Sequence, residues 1–134
     1  MRLARTLSRA VLGTIFSAAG ANHFWHTDFY VAIMPPYLPW HLALVLISGA
    51  AEMGLGALLL VPRASRPAAW GLIALLIAVF PANLHMALHT DLFPWAPPAA
   101  LWLRLPLQGV LIAWVYWHTR PEAADAARRL LSKT

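Results

Sequence analysis

Glu52 and Arg104 each stand inside an apolar run long enough to cross a bilayer, His41 to Val61 and Ala99 to Tyr116. A charge at the centre of a membrane costs about 2.5–3.5 kcal/mol on insertion scales, so such residues persist where they pair or serve a site. Every other carboxylate lies in a connection or in the C-terminal tail, which makes Glu52 the expected partner of Arg104. Further polar groups fall in the same apolar surroundings: Asn22 and His23, Asn83 and His85, and Gln108. Their chemistry is hydrogen bonding and proton exchange. Two readings stand side by side, a structural network that ties helices together and a site for a ligand or a proton. His85 and His89, four residues apart, also have the spacing of a two-histidine metal site. A third ligand would have to come from His23, His26 or Asp91, and no metal is expected.

The elements that must position these residues follow from composition. Of 134 residues 60% are hydrophobic and 11% charged, a balance suited to a membrane rather than to a soluble domain. There is no cysteine, which excludes disulfides, thiolate metal sites and thiol redox chemistry. Four spans are predicted, Leu7 to Phe24, His41 to Val61, Ala68 to His89 and Ala99 to His118, each near the ~20 residues that a bilayer core requires. The fold class is therefore all-α, an integral membrane four-helix bundle in a single domain. Pro39, Pro67 and Pro98 stand at or just before helix starts, where a missing N–H is harmless. Trp25, Trp40, Trp70, Trp95, Trp117 and Tyr37 gather near the span ends, as an interfacial aromatic belt does.

The net charge of +5 is topological. Arg2, Arg5 and Arg9 precede the first span, Arg63 and Arg66 separate the second and third, and Arg120, Arg128, Arg129 and Lys133 follow the fourth. The other two connections carry Asp28 and Asp91 and no lysine or arginine. That alternation predicts a multi-pass protein of the cell inner membrane with both termini in the cytoplasm. No nucleic-acid partner is expected. The first apolar stretch, with Ala18, Ala19 and Ala21, also has the makings of a secretory signal. Cleavage would upset the alternation, so the first helix is expected to be retained.

Between Trp25 and Trp40 the chain is aromatic and proline-rich. A short helix lying in the external interface is predicted, carrying Phe29, Tyr30, Ile33 and Met34, capped by Thr27 or Asp28 and stopped by Pro35 and Pro36. It would act as a surface lid or as a gate over a cavity. Pro121 to Ser132 reads as a short amphipathic cytoplasmic tail, with Asp125 spaced to pair with Arg128 or Arg129. At 1.5 Å per residue, Glu52 lies roughly 16 Å below the outer surface, Arg104 and Gln108 roughly 9 and 15 Å, and Asn83 and His85 roughly 6–11 Å. All fall in the outer half, level with Asn22 and His23. Ser48, Glu52 and Gly56 share one helix face, which points the carboxylate into the bundle beside small residues. Pro81 and Pro106, at the same depth, free carbonyls at Ile77 and Trp102, breaks that a cavity or a neighbour must satisfy.

Four runs, GANHFWHTDFYVAIMPPYLP from Gly20, SGAAEMGLGALLLVP from Ser48, VFPANLHMAL from Val79 and RLPLQGVLIAWVYW from Arg104, together resemble the DoxX-like family of small four-helix membrane proteins. The resemblance covers nearly the whole chain and places the family's polar pattern on Asn22, His23, Glu52, Asn83, Arg104 and Gln108. It implies a membrane protein linked to quinone-dependent sulfur oxidation, to redox-complex partners or to membrane chaperones. With no cysteine and no haem or flavin motif, a self-sufficient oxidoreductase is not expected, and no resident cofactor is. The leading expectation is a protein of the lipid bilayer that binds a partner or a lipophilic small molecule through the outer-half polar cluster. The alternative is an accessory membrane subunit of a quinone-linked redox complex, with quinone as a bound ligand near Glu52 and Arg104. A transporter is disfavoured, because no polar residues continue the path into the inner half.

Overall fold

A computed structural model describes residues 2–121 and 123–134, and among these there is no strand. The helices are α1 (Arg2–Trp25), α2 (Thr27–Ala32), α3 (His41–Leu59), α4 (Ser65–Leu88), α5 (Pro98–Trp117) and α6 (Ala123–Leu131), with a 3-10 turn at Thr90–Leu92. Three of them, α3, α4 and α5, are long and apolar enough to cross a membrane. Their outward faces confirm the solvent they suit. Ile47, Ile77, Leu103 and Val110 are all at least 60% exposed, an arrangement that water would punish and lipid does not. Helix α1 has the length but not the composition, since Arg2, Arg5 and Arg9 load one end and Asn22 and His23 the other.

The elements begin and end close to where the sequence places them. Pro98 is at the first position of α5, and Pro67 falls in the first turn of α4, which starts at Ser65 rather than Ala68. Pro81 and Pro106 sit inside α4 and α5, which continue through them. Helix α2 starts without a side-chain cap. Thr27, expected to cap it, instead turns its hydroxyl back to the carbonyls of His23 (2.8 Å) and Phe24 (3.1 Å), so it closes the last turn of α1. The chain then reverses through Trp40, whose left-handed backbone (φ 51°) is unusual for a large side chain, while His41 Nε2 meets the Pro35 carbonyl at 3.0 Å. The expected pairing of Asp125 lies outside the described residues. Arg128 and Arg129 close the last turn of α6, followed by exposed Leu130 and Leu131.

Glycine decides how α1 meets α3. The two helices run antiparallel, and Gly13 and Gly20 of the first face Gly56 and Gly49 of the second. A Cβ on Gly20 would strike the backbone of Met53 and Gly49, and one on Gly56 would sit 2.7 Å from the Ser17 nitrogen. Only a hydrogen fits at these crossings, which brings the backbones into the close contact that drives helix association in lipid. By this contact a helix too polar to be recognised by hydropathy alone is held to its neighbour.

Two apolar clusters lie along the bundle. One joins Leu12 and Phe16 of α1, Leu59 of α3, Leu72 and Leu76 of α4 and Val115 of α5. The other, at the α2 end, joins Ile33, Met86, Phe93 and Leu101. On α4, Asn83 falls between Leu76 and Met86; on α5, Arg104 falls between Leu101 and Val115. The polar residues therefore form a layer with an apolar floor and an apolar roof. At the opposite end, which carries both termini, Trp114 Nε1 donates to Ser8 Oγ (2.7 Å), which also meets His118 Nε2 at 2.8 Å, fastening α1 to α5.

Candidate functional site

His23 is the centre of the polar layer. Its Nδ1 is 3.1 Å from the Val45 carbonyl, which can only accept, so Nδ1 carries a proton. Its Nε2 is then left for Glu52, whose Oε2 is 3.3 Å away. Ser48 Oγ stands 3.4 Å from Nδ1 and also donates to the Val45 carbonyl. With Nδ1–H fixed by the backbone, a hydrogen bond between Nε2 and Oε2 needs one proton between them. It belongs either to an imidazolium beside a carboxylate or to a carboxylic acid donating to a neutral ring. Both arrangements leave the pair without net charge, which is how two ionisable groups reside cheaply in low dielectric.

This geometry corrects the expected pairing of Glu52 with Arg104. Among the described residues the ion-pair partner of Glu52 is His23. Arg104 donates instead to Met86 Sδ at 3.5 Å, a weak acceptor for a guanidinium with five N–H groups. Sequence position made the error natural: Glu52 was the one carboxylate within a span, but a histidine whose other nitrogen is tied to a carbonyl serves it as well.

Glu52 and Arg104 nevertheless face the same space. A cavity of about 260 Å³ is lined by His23 of α1, Tyr30 of α2 and Ile33 just after it, Glu52 of α3, Asn83 of α4 and Arg104 of α5. Tyr30 is the site residue the sequence did not single out beyond a place on the interfacial segment. Its ring stacks on His23 (centroids 3.9 Å apart, planes at 25°), and its hydroxyl accepts from Asn22 Nδ2 at 2.8 Å. Asn22 thus stands behind the cavity and positions its lid. The available signal is a phenol seven residues past a histidine, with the end of α1 and the start of α2 between them.

Two more predicted site residues are placed elsewhere. Gln108 is buried and accepts from Asn83 Nδ2 at 2.6 Å, while its own amide donates to the Leu76 carbonyl. It ties α5 to α4 on the carbonyl next to the one that Pro81 frees, and it faces the grooves beside the cavity rather than the cavity itself. His85 is buried against His89 (ring centroids 4.5 Å) and Phe93, away from Glu52. Among the described residues no three histidine or carboxylate side chains gather as a metal would need.

A set of three membrane-length apolar helices, joined by a tightly packed α1 and lidded by α2, thus lines a polar cavity with a guanidinium that has no ion-pair partner among the described residues. The chain belongs to the family described as domain of unknown function DUF8561, whose model matches residues 12–119. No curated protein and no solved structure matches it.

Proposed function

We propose that this is a multi-pass inner-membrane protein, a four-helix bundle with α1 as the fourth span and both termini in the cytoplasm, that binds a lipophilic small molecule through the outer-half cavity. The observation that carries the reading is Arg104. It presents a charged donor fork to the cavity with one thioether as partner, at a depth where an uncompensated charge is expensive. A ligand with an accepting or anionic oxygen supplies what the protein withholds, and Asn83 and Tyr30 stand on the same walls. The cavity volume of about 260 Å³ is just below the ~300–1,000 Å³ of pockets that enclose a whole small molecule, so it suits a head group whose tail lies in the bilayer.

Native mass spectrometry of the full chain in mild detergent, with a short-tailed benzoquinone and a medium-chain fatty acid as probes, tests this. Arg104→Met should fold as well as the wild type or better, because removing a poorly paired buried charge is neutral or stabilising. Yet it should lose at least about tenfold in probe retention, the ~1.4 kcal/mol scale of one charge-assisted hydrogen bond. Gln108→Leu should do the reverse, losing about 1–3 kcal/mol of stability by orphaning the Leu76 carbonyl while retaining the probe. Unchanged retention in folded Arg104→Met would reduce the polar layer to a structural network.

The second reading, an accessory subunit of a quinone-linked redox complex, draws on the His23–Glu52 pair, whose single shared proton stands beside space for a quinone carbonyl. It is the role that a resemblance to DoxX-like proteins would imply. Selective retention of the benzoquinone, together with a co-purified redox partner, would favour it over simple binding.

The proposed topology has its own test. Reporter fusions after Arg120 and within Trp25 to Trp40 should report opposite sides of the membrane, because basic and non-basic connections alternate. Both reporters on one side would contradict the three spans between them, and an N-terminal reporter on the same side as the one within Trp25 to Trp40 would remove α1 as a span.

A further inference from the structure

At the end of the molecule that carries both termini, a second concavity of about 470 Å³ opens among α1, the α3–α4 connection, the start of α4, the end of α5 and α6. Its charged lining is arginine, beside Thr6, Ser65 and His118, and among the described residues no carboxylate contributes to it. Two arginines build its wall. Arg5 spans the end of α5, donating to the carbonyls of Trp117 (2.8 Å), Arg120 and Pro121 (3.5 Å), with its guanidinium 5.5 Å from the centre of the Trp117 ring. Arg66 Nε donates to the Thr119 carbonyl at 3.0 Å. The Trp117 carbonyl is in the last turn of α5, where cations are favoured, and the others belong to the segment that follows it, so the two arginines fix the bowl's shape.

Arg2, Arg63, Arg120 and Arg128 line the same bowl and have no ion-pair partner among the described residues. The positive-inside rule asks only that cations lie on one side of a membrane; it does not ask them to converge on a cavity. We propose that this bowl is a second binding site, for phosphate oxygens of an anionic group carrying more than one negative charge. Planar guanidinium forks match phosphate bidentately, and several converging forks hold a group larger than a single phosphate. Leu3, Leu7 and Val61 adjoin bowl residues in sequence, and with Leu60 they are all at least 45% exposed, a surface for acyl chains beside the charge. That rim favours a phospholipid headgroup as the source of the phosphate, as basic pockets between membrane helices favour.

The test uses the full chain in mild detergent, offered diphosphatidylglycerol, phosphatidylcholine or soluble pyrophosphate, and reads retention by native mass spectrometry and the shift in unfolding temperature. Diphosphatidylglycerol should be retained at least about tenfold better than phosphatidylcholine, and it should raise the unfolding temperature as a ligand of the folded state does. Pyrophosphate retained as strongly as the lipid would assign the same site to a soluble phosphate. The triple variant Arg2→Gln/Arg63→Gln/Arg128→Gln leaves Arg5 and Arg66 in place and should lose that preference at least about tenfold, given ~1 kcal/mol per basic residue at an anionic surface. Should it fail to insert, the charge-preserving variant Arg2→Lys/Arg63→Lys/Arg128→Lys keeps the topology and should retain diphosphatidylglycerol about threefold less well. Equal retention of the two lipids with no binding of pyrophosphate, or wild-type preference in the variant that folds, overturns the proposal.

Discussion

Gly20→Leu is expected to abolish the folded state or lower its stability by at least about 3 kcal/mol, at the upper end of what overpacking costs. The clash is with backbone, the Met53 nitrogen and the Gly49 carbonyl, and backbone cannot rotate aside as a side chain can. To admit even one carbon, α1 must separate from α3. That separation pulls His23 from Val45 and Glu52 and opens the cavity. The control is internal to the chain. Gly54 and Gly109 have open space where a Cβ would stand, so Gly54→Ala and Gly109→Ala should be neutral or gain up to about 1 kcal/mol from helix propensity. Thermal unfolding in detergent measures all three. Gly20→Leu with wild-type stability would mean that α1 does not pack on α3 through its glycines.

Glu52→Leu should cost about 2–4 kcal/mol, whereas Glu52→Gln should cost under about 1 kcal/mol. The difference comes from the ring of His23. With Nδ1–H held by the Val45 carbonyl, Nε2 of the neutral ring needs a donor, which the glutamine amide provides and leucine does not. A double-mutant cycle of Glu52→Leu with His23→Phe should show coupling of about 1–3 kcal/mol, and the same cycle with Arg104→Met should show less. Stronger coupling to Arg104 than to His23 would restore the arginine as the partner of the carboxylate.

Much of this arrangement is legible in the sequence. Helix lengths and proline positions follow from bilayer thickness and from backbone chemistry, both of which act locally along the chain. The shared level of Asn22, His23, Glu52, Asn83 and Arg104 along the bundle follows from residue rise alone, and the structure brings His23, Glu52, Asn83 and Arg104 around one cavity, with Asn22 behind its lid. Depth, however, says nothing about azimuth. Glu52 and Arg104 share a level yet stand on different walls, and a 100° turn per residue separates a contact from a gap.

What the chain determined by itself is therefore its class of solvent, its helices and the level of its polar layer, because hydropathy, helix rise and proline geometry are properties of single segments. Tertiary packing alone decided the partners. His23 reaches Glu52 because Gly20 and Gly49 let α1 and α3 approach within hydrogen-only contact, and Tyr30 covers the histidine because Asn22 holds its hydroxyl. Gln108 turns to the Leu76 carbonyl because a buried amide must be satisfied by whatever acceptor the neighbouring helix presents. Among the described residues Arg104 is left with a thioether, since the carboxylate that the sequence offered it is matched by the ring of His23.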